Sequence, residues 1–434
     1  MTALLYVLGV LLFVVGVALS VGLHELGHLI PGKLFDVKVT QYFIGFGRTL
    51  WSRQRGETEY GVKAIPLGGY VKLVGMMPPR PGEQPGQVRD TKTGMFAQLV
   101  DDARSAEYEH VGPDDHGRLF YNKHWAKRVV IMASGVTINL VLAFVLFAIA
   151  FSGIGVQTET TTVGLVADCV VPVRVGAAPR ACTAQDTPTP AKQAGFRVGD
   201  RFVSFNGHAT TDWAAVQREI RANGSKPATV VVERQGRQVT LHPRTVVNTV
   251  QAIDGSGRLT KAGFLGVTAA TARERQGLGF VASTMVTGTK DTLVTLGHLP
   301  NKVFHVARAA LGLEKRDPNS PMSVVGAGRI AGEVASQPTP VLDRLFQLLS
   351  LLAALNLFLG LINLVPLPPF DGGGIATTLF EAARRGVARL LRRPDPGAVD
   401  VAKLLPVTYV MAAVILVVSL VLILADIVAP VSLS

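Results

Sequence analysis

Four apolar stretches, at roughly 2–23, 129–151, 345–367 and 406–428, dominate the 434-residue chain. Each has the length, about 20 residues, that crosses the hydrocarbon of a bilayer. Inside lipid every backbone N–H and C=O must be satisfied within its own segment, which restricts such stretches to helices. The 48% hydrophobic content agrees, being too apolar for an ordinary soluble protein. The first stretch is too long for a signal-peptide core and lacks a basic start, so it is expected to stay as a span.

The net charge of +12 follows membrane topology rather than nucleic acid, for which no motif is present. No Lys or Arg precedes the first stretch or follows the fourth. Lys33, Lys38, Lys123, Lys127 and Arg128 bracket the first connection. Arg384, Arg385, Arg389, Arg392, Arg393 and Lys403 precede the fourth stretch. The positive-inside rule then predicts both termini outside, the connections 31–128 and 368–405 cytoplasmic, and 152–344 extracytoplasmic.

The first stretch ends in His24-Glu25-Leu26-Gly27-His28. Histidines at i and i+4 share one helix face and can grip one metal ion, for which zinc is the usual occupant. Glu25 is then placed to take a proton from water at the metal, the chemistry needed to attack a peptide carbonyl. A chance match is the alternative, but an ionisable cluster within a span is a functional-site hypothesis by default. The third stretch runs in the same direction as the first and ends in Pro368-Pro369-Phe370-Asp371-Gly372-Gly373-Gly374. Asp371 therefore reaches the same membrane face as the histidines and is expected as the third ligand, with a fourth position left for water. Its plain alternative is a turn-capping aspartate. Asn363 is suited to bonding a substrate carbonyl or a neighbouring helix, and Asn139, above Ser134 and Gly135, to a helix contact or the active site.

Pro31-Gly32 is expected to break the first helix. Val37–Phe46 and Glu59–Leu73 alternate as strands, with turns at Arg55-Gly56 and Gly68-Gly69. They form either a small structural hairpin or an edge that pairs with an extended peptide. The loop 76–128 is expected to carry one helix near 95–108, and its His110, His116 and His124 fit no zinc spacing. Residues 158–270 read as one globular domain. Strands at Phe202–Phe205, Thr229–Glu233 and Val239–His242 surround a helix at Asp212–Ala222, with turn signals at Asn206-Gly207 and Gln235-Gly236. A connector, 284–344, opens with a helical stretch near 284–311, where His298 and His305 are read as surface residues. Cys169 and Cys182 form either a disulfide, as an oxidising compartment favours, or two free thiols.

Together these motifs resemble the membrane-embedded site-2 metalloproteases of regulated intramembrane proteolysis, over nearly the whole chain. His24-Glu25-Leu26-Gly27-His28 is similar to that family's first-helix motif, and Pro368-Pro369-Phe370-Asp371-Gly372-Gly373 to its Asp-Gly motif. Gly61 to Val71, including Gly68, Gly69 and Tyr70, resembles its membrane-associated β-loop, which implies pairing with unwound substrate. Ala194 to Asp200, through Asn206-Gly207, resembles a PDZ domain, and Ser323-Val324-Val325-Gly326 also looks like a family element. The family usually has Gly-Pro where this chain has Gly135-Val136. The single PDZ domain and the Cys169/Cys182 pair resemble the actinobacterial branch.

The resemblance implies one Zn2+ per chain and places Asn139 and Asn363 near substrate. It also implies single-pass substrates such as anti-sigma factors, first cut by an upstream site-1 protease, with the PDZ region acting as a size filter. The expected fold is a polytopic α-helical membrane protein with four transmembrane helices. A cytoplasmic membrane-associated β-hairpin or sheet (31–75) and one extracytoplasmic PDZ-like α+β domain (158–270) complete it. Other functions compatible with the sequence are a non-catalytic PDZ membrane scaffold, or the same protease clearing remnant signal peptides.

Overall fold

The computed structural model describes residues 2–79, 100, 102, 104–105, 111–172, 181–183, 185–252 and 258–431. The helix expected near 95–108 and His110 lie largely or wholly outside them. Among the described residues, four helices are long and apolar enough to cross a membrane: Thr2–Leu34, Trp125–Ile154, Val341–Asn363 and Val401–Val428. The chain divides into two compact units, residues 1–154 with 276–434, and residues 155–275.

In chain order the first unit opens with α1 (Thr2–Leu34), β1 (Val39–Arg55), β2 (Thr58–Leu73) and α2 (Trp125–Ala148). The second unit holds β3 (Val156–Val166), α3 (Pro190–Gln193), β4 (Arg201–Phe205), β5 (His208–Ala209) and α4 (Trp213–Asn223). It continues with β6 (Val230–Arg234), β7 (Arg237–Leu241), β8 (Val246–Gln251), β9 (Leu259–Phe264) and β10 (Val267–Glu274). The first unit then resumes with α5 (Leu278–Gly297), α6 (Leu299–Ala310), α7 (Val324–Ser336), α8 (Val341–Asn363), α9 (Asp371–Leu390) and α10 (Leu405–Val428).

Pro31 does not break α1, which runs on to Leu34 with Pro31 inside it. One lost hydrogen bond is outweighed by packing, since Gly32 lies against Leu73 and Val39. The helix ends instead at Asp36, in the left-handed region at φ 56°. There Val37 N–H donates to the Gly32 carbonyl and Asp36 N–H to that of Lys33, a Schellman stop. The small faces of α1 and α7 meet closely, a Cβ on Gly9 falling 2.6 Å from the Ala331 carbonyl. Asn356 of α8 donates to Ser20 of α1, 2.9 Å away, the kind of polar glue that joins helices in lipid.

Strands β1 and β2 are longer than expected, and each bends. Gln41–Ile44 is flanked on one side by Gly69–Lys72 and on the other by Glu59–Val62, while Trp51–Arg55 pairs back onto Thr58–Val62. The hairpin turn falls at Arg55-Gly56 as expected. Gly68-Gly69 is a bend within β2 rather than its end, made possible by φ 114° at Gly68. Two further corrections concern helices. The expected stretch 284–311 is two helices, α5 and α6, divided at His298 because Pro300 starts the second. The segment read as Asp-Gly motif and loop, 368–405, contains the 20-residue helix α9. Its three glycines serve packing: a Cβ at Gly372 would lie 2.4 Å from the Leu364 carbonyl, and one at Gly374 would lie 2.9 Å from Met132 Cε.

The 155–275 unit is built on a sheet ordered β10-β3-β4-β6-β7, with β5 on β4, and a separate β8-β9 pair. Phe202, Phe205, Trp213, Val216, Val230 and Val232 form its core. Asn206-Gly207 and Gln235-Gly236 adopt φ 50° and 84°, and 53° and 77°, as two-residue hairpin turns require. Asp212 caps α4 by accepting from Ala215 N–H at 2.7 Å. Cys169 and Cys182 are joined as a disulfide.

Candidate metal centre

Helix α1 carries His24, Glu25 and His28, and α9 opens with Asp371 as its first residue. His24 Nε2 and His28 Nε2 lie 3.2 and 3.3 Å from Asp371 Oδ2, and 3.3 Å from each other. Among the described residues these three form a cluster whose ligating atoms all fall within 4.8 Å. Both histidines are buried.

Helix α2 aligns the two rings. His28 Nδ1 lies 2.8 Å from the Ile131 carbonyl. A carbonyl only accepts, so Nδ1 carries the proton and Nε2 presents its lone pair to the cluster. The Asn139 amide lies 3.1 Å from His24 Nδ1. The nearer atom is Nδ2; turning the amide over instead presents Oδ1, which is buried without a partner, to accept an Nδ1 proton. α1 and α2 touch through glycines: a Cβ on Gly27 would stand 2.8 Å from Gly135 Cα, and one on Gly135 would stand 2.4 Å from His28 Nε2.

These residues fit a metal. Two imidazole lone pairs and a carboxylate oxygen converge, and that oxygen, Asp371 Oδ2, is buried without a hydrogen-bond donor. Such an arrangement is repulsive without a cation. A tetrahedral centre with bonds of about 2.0–2.1 Å has ligand–ligand edges of about 3.3–3.4 Å, close to the three distances found.

A cavity of about 420 Å³ opens onto the cluster, lined by Glu25, Gly68, Gly69, Tyr70, Asn139 and Asn363 among others. Every residue singled out in the sequence for the metal, for catalysis or for substrate thus borders one space. The β-sheet is fastened to α1 there, since Tyr42 donates its hydroxyl to the Gly22 carbonyl at 2.8 Å. Gly69 approaches Glu25 so closely that a Cβ would fall 2.9 Å from Glu25 Cγ. Tyr70 stacks on Phe43, with centroids 5.6 Å apart.

Two other histidines serve elsewhere. His124 caps α2 by accepting from Ala126 N–H, and His305 pairs with Glu314. Sequence reasoning missed the Ile131 carbonyl, which no side-chain pattern can signal. It also missed Tyr42, and a buried ion pair between Arg128 and Glu381.

Peptidases that hold their metal between membrane helices form a class of their own, and this chain is similar to them in sequence. Residues 12–390 match the model of Peptidase family M50. The chain belongs to that family, the site-2 zinc metalloproteases, and is a multi-pass membrane enzyme. It is 34% identical over 443 residues to zinc metalloprotease Rip1 of Mycobacterium tuberculosis, covering 99% of this chain and 100% of the relative. Rip1 of Mycolicibacterium smegmatis is 31% identical over 450 residues, covering 99% of each. Metalloprotease MmpA of Caulobacter vibrioides is 29% identical over 398 residues, covering 89% of each.

Proposed function

We propose that this zinc metalloprotease cuts single-pass membrane proteins within their membrane-spanning segments. The favoured substrates are anti-sigma factors already trimmed outside the membrane by a first protease. The observation that carries the proposal is the convergence of His24, His28 and Asp371 beside Glu25 on a cavity walled by a β-strand. His24, His28 and Asp371 hold the zinc. Bound there, it would supply Lewis-acid polarisation of the scissile carbonyl and a lowered pKa for water. Glu25 accepts the proton of the attacking water and returns it to the leaving amide nitrogen.

A membrane helix hides its carbonyls in hydrogen bonds, so substrate must unwind before it can be cut. Gly68 to Tyr70 receive the extended chain by main-chain hydrogen bonds, and Asn363 donates its amide to a substrate carbonyl. The basic connections support cytoplasmic placement of the site, with both termini and the 155–275 unit outside. The Ala194 to Asp200 turn supports a PDZ-like role for that unit as a size filter.

The test is cleavage of a pre-trimmed single-pass substrate by purified protein in detergent, comparing wild type with Glu25→Gln and measuring zinc in both. Cutting within the span by wild type alone, with zinc in both, is expected. Normal turnover by Glu25→Gln would refute the assignment.

A further inference from the structure

The three proposed ligands sit on two helices, α1 and α9, and each helix is fastened to the first turns of α2. His28 of α1 is held by the Ile131 carbonyl. One turn earlier, on the same side of α2, Arg128 reaches α9 as a two-pronged ion pair to Glu381, at 2.7 and 3.4 Å. Both side chains are almost wholly buried, at 6% and 3% exposure. The Glu381 carboxylate also accepts from Val399 N–H at 3.0 Å and faces Arg385 at 3.3 Å. Between the ion pair and the ligands, Gly374 of α9 lies on Met132 of α2. α9 thus runs antiparallel to α2, with its ligand end at the metal cluster and its Glu381 end locked to Arg128.

We infer that Arg128 and Glu381 are positioning residues for the metal centre: their buried ion pair sets the rotation and height of α9 on α2, and hence the place of Asp371 opposite His24 and His28. The inference rests on the proposed ligand role of Asp371. A planar guanidinium gripping both oxygens of a carboxylate fixes orientation as well as distance, which a lone charge or an apolar contact does not. The function of the pair is therefore geometric. A three-ligand centre tolerates displacements of only about 0.2 Å, while a freed helix end slides by more.

The experiment measures zinc affinity by chelator competition on full-length protein in detergent, together with unfolding of the metal-free form. Glu381→Gln keeps size and shape but removes the ion pair. Its zinc affinity is expected to fall about 10-fold or more, as for other outer partners of metal ligands. The exchanged pair, Arg128→Glu with Glu381→Arg, is expected to recover part of that loss relative to either single change. A merely structural role would lower the unfolding temperature of the metal-free protein and leave the zinc affinity of the folded fraction unchanged. Wild-type affinity in folded Glu381→Gln overturns the inference. If Glu381→Gln does not yield folded protein, Arg128→Lys, which keeps the charge and loses the fork, carries the same test, with a loss of a few-fold expected and none overturning it. His28→Ala separates the two levels of argument. Lost zinc there with wild-type affinity in Glu381→Gln defeats the positioning role alone, whereas full zinc in His28→Ala defeats the metal-centre assignment beneath it.

Discussion

Adding one methyl group at Gly135 should empty the metal centre. A Cβ built there stands 2.4 Å from His28 Nε2, 2.7 Å from His28 Cε1 and 2.9 Å from His24 Cε1. Ordinary contact begins at 3.4 Å, so His28 must retreat by about 1 Å, some five times the tolerance of about 0.2 Å for a metal ligand. Helix α2 cannot move away instead, because its Ile131 carbonyl holds the same ring and Arg128 ties its first turn to α9. Gly135→Ala should weaken zinc binding by at least about 100-fold, or about 2.8 kcal/mol. Metal analysis of purified protein, followed by chelator competition, measures this. Gly117→Ala is the control, since nothing lies within 4 Å of a Cβ there, and it should keep its zinc. Stoichiometric zinc and wild-type chelator resistance in Gly135→Ala would refute the reasoning.

Gly69→Ala should give the opposite pattern. Its Cβ meets the Phe43 carbonyl at 2.8 Å and Glu25 Cγ at 2.9 Å, so zinc stays while a displaced Glu25 lowers kcat/KM by about 100-fold. Peptidase kinetics beside metal content will check both halves. The Lys38 ammonium, 2.6 Å from Asp115, holds that carboxyl below the usual carboxylate range, with Gly112 N–H and Arg118 assisting. Because the folded pKa is depressed, this stabilisation is full above about pH 4 and lost as pH falls through the folded value. The stability gap between wild type and Asp115→Asn should accordingly close on acidification, and thermal unfolding across pH measures it. Replacing both Cys169 and Cys182 by Ser opens a loop of 13 positions and should destabilise the 155–275 unit by about 3 kcal/mol, read by denaturant unfolding with and without reductant.

What could be read from the residues was whatever repeats along an element or follows from direction. His24 and His28 share a face because a helix has 3.6 residues per turn. Asp371 joins them because the first and third spans run the same way. Packing across elements was the harder part. Pro31 looked like a stop, but the contacts of Gly32 with Val39 and Leu73 carry α1 onward. Gly372, Gly373 and Gly374 carry no packing signal in the sequence, yet each is the point where α9 presses on a neighbour. Arg128 counted as one more cytoplasmic charge, since its partner is 253 positions away. In the sequence Asn139 fits two roles, which only the position of His24 Nδ1 separates.

The separation of the ligands along the chain has a consequence for how the enzyme comes into being. His28 and Asp371 are 343 positions apart (371 − 28), so a metal held by both is a cross-link between distant parts of the polypeptide rather than a local clip. During synthesis the emerging chain carries the two proposed histidine ligands well before Asp371, which follows α8 at the start of α9. An ion held by these residues would also help keep the helices together, contributing about 2.7 kcal/mol when free metal is 100 times the dissociation constant. With His24, His28 and Asp371 as ligands, a chelator would act on this protein as an inhibitor and as a denaturant at once.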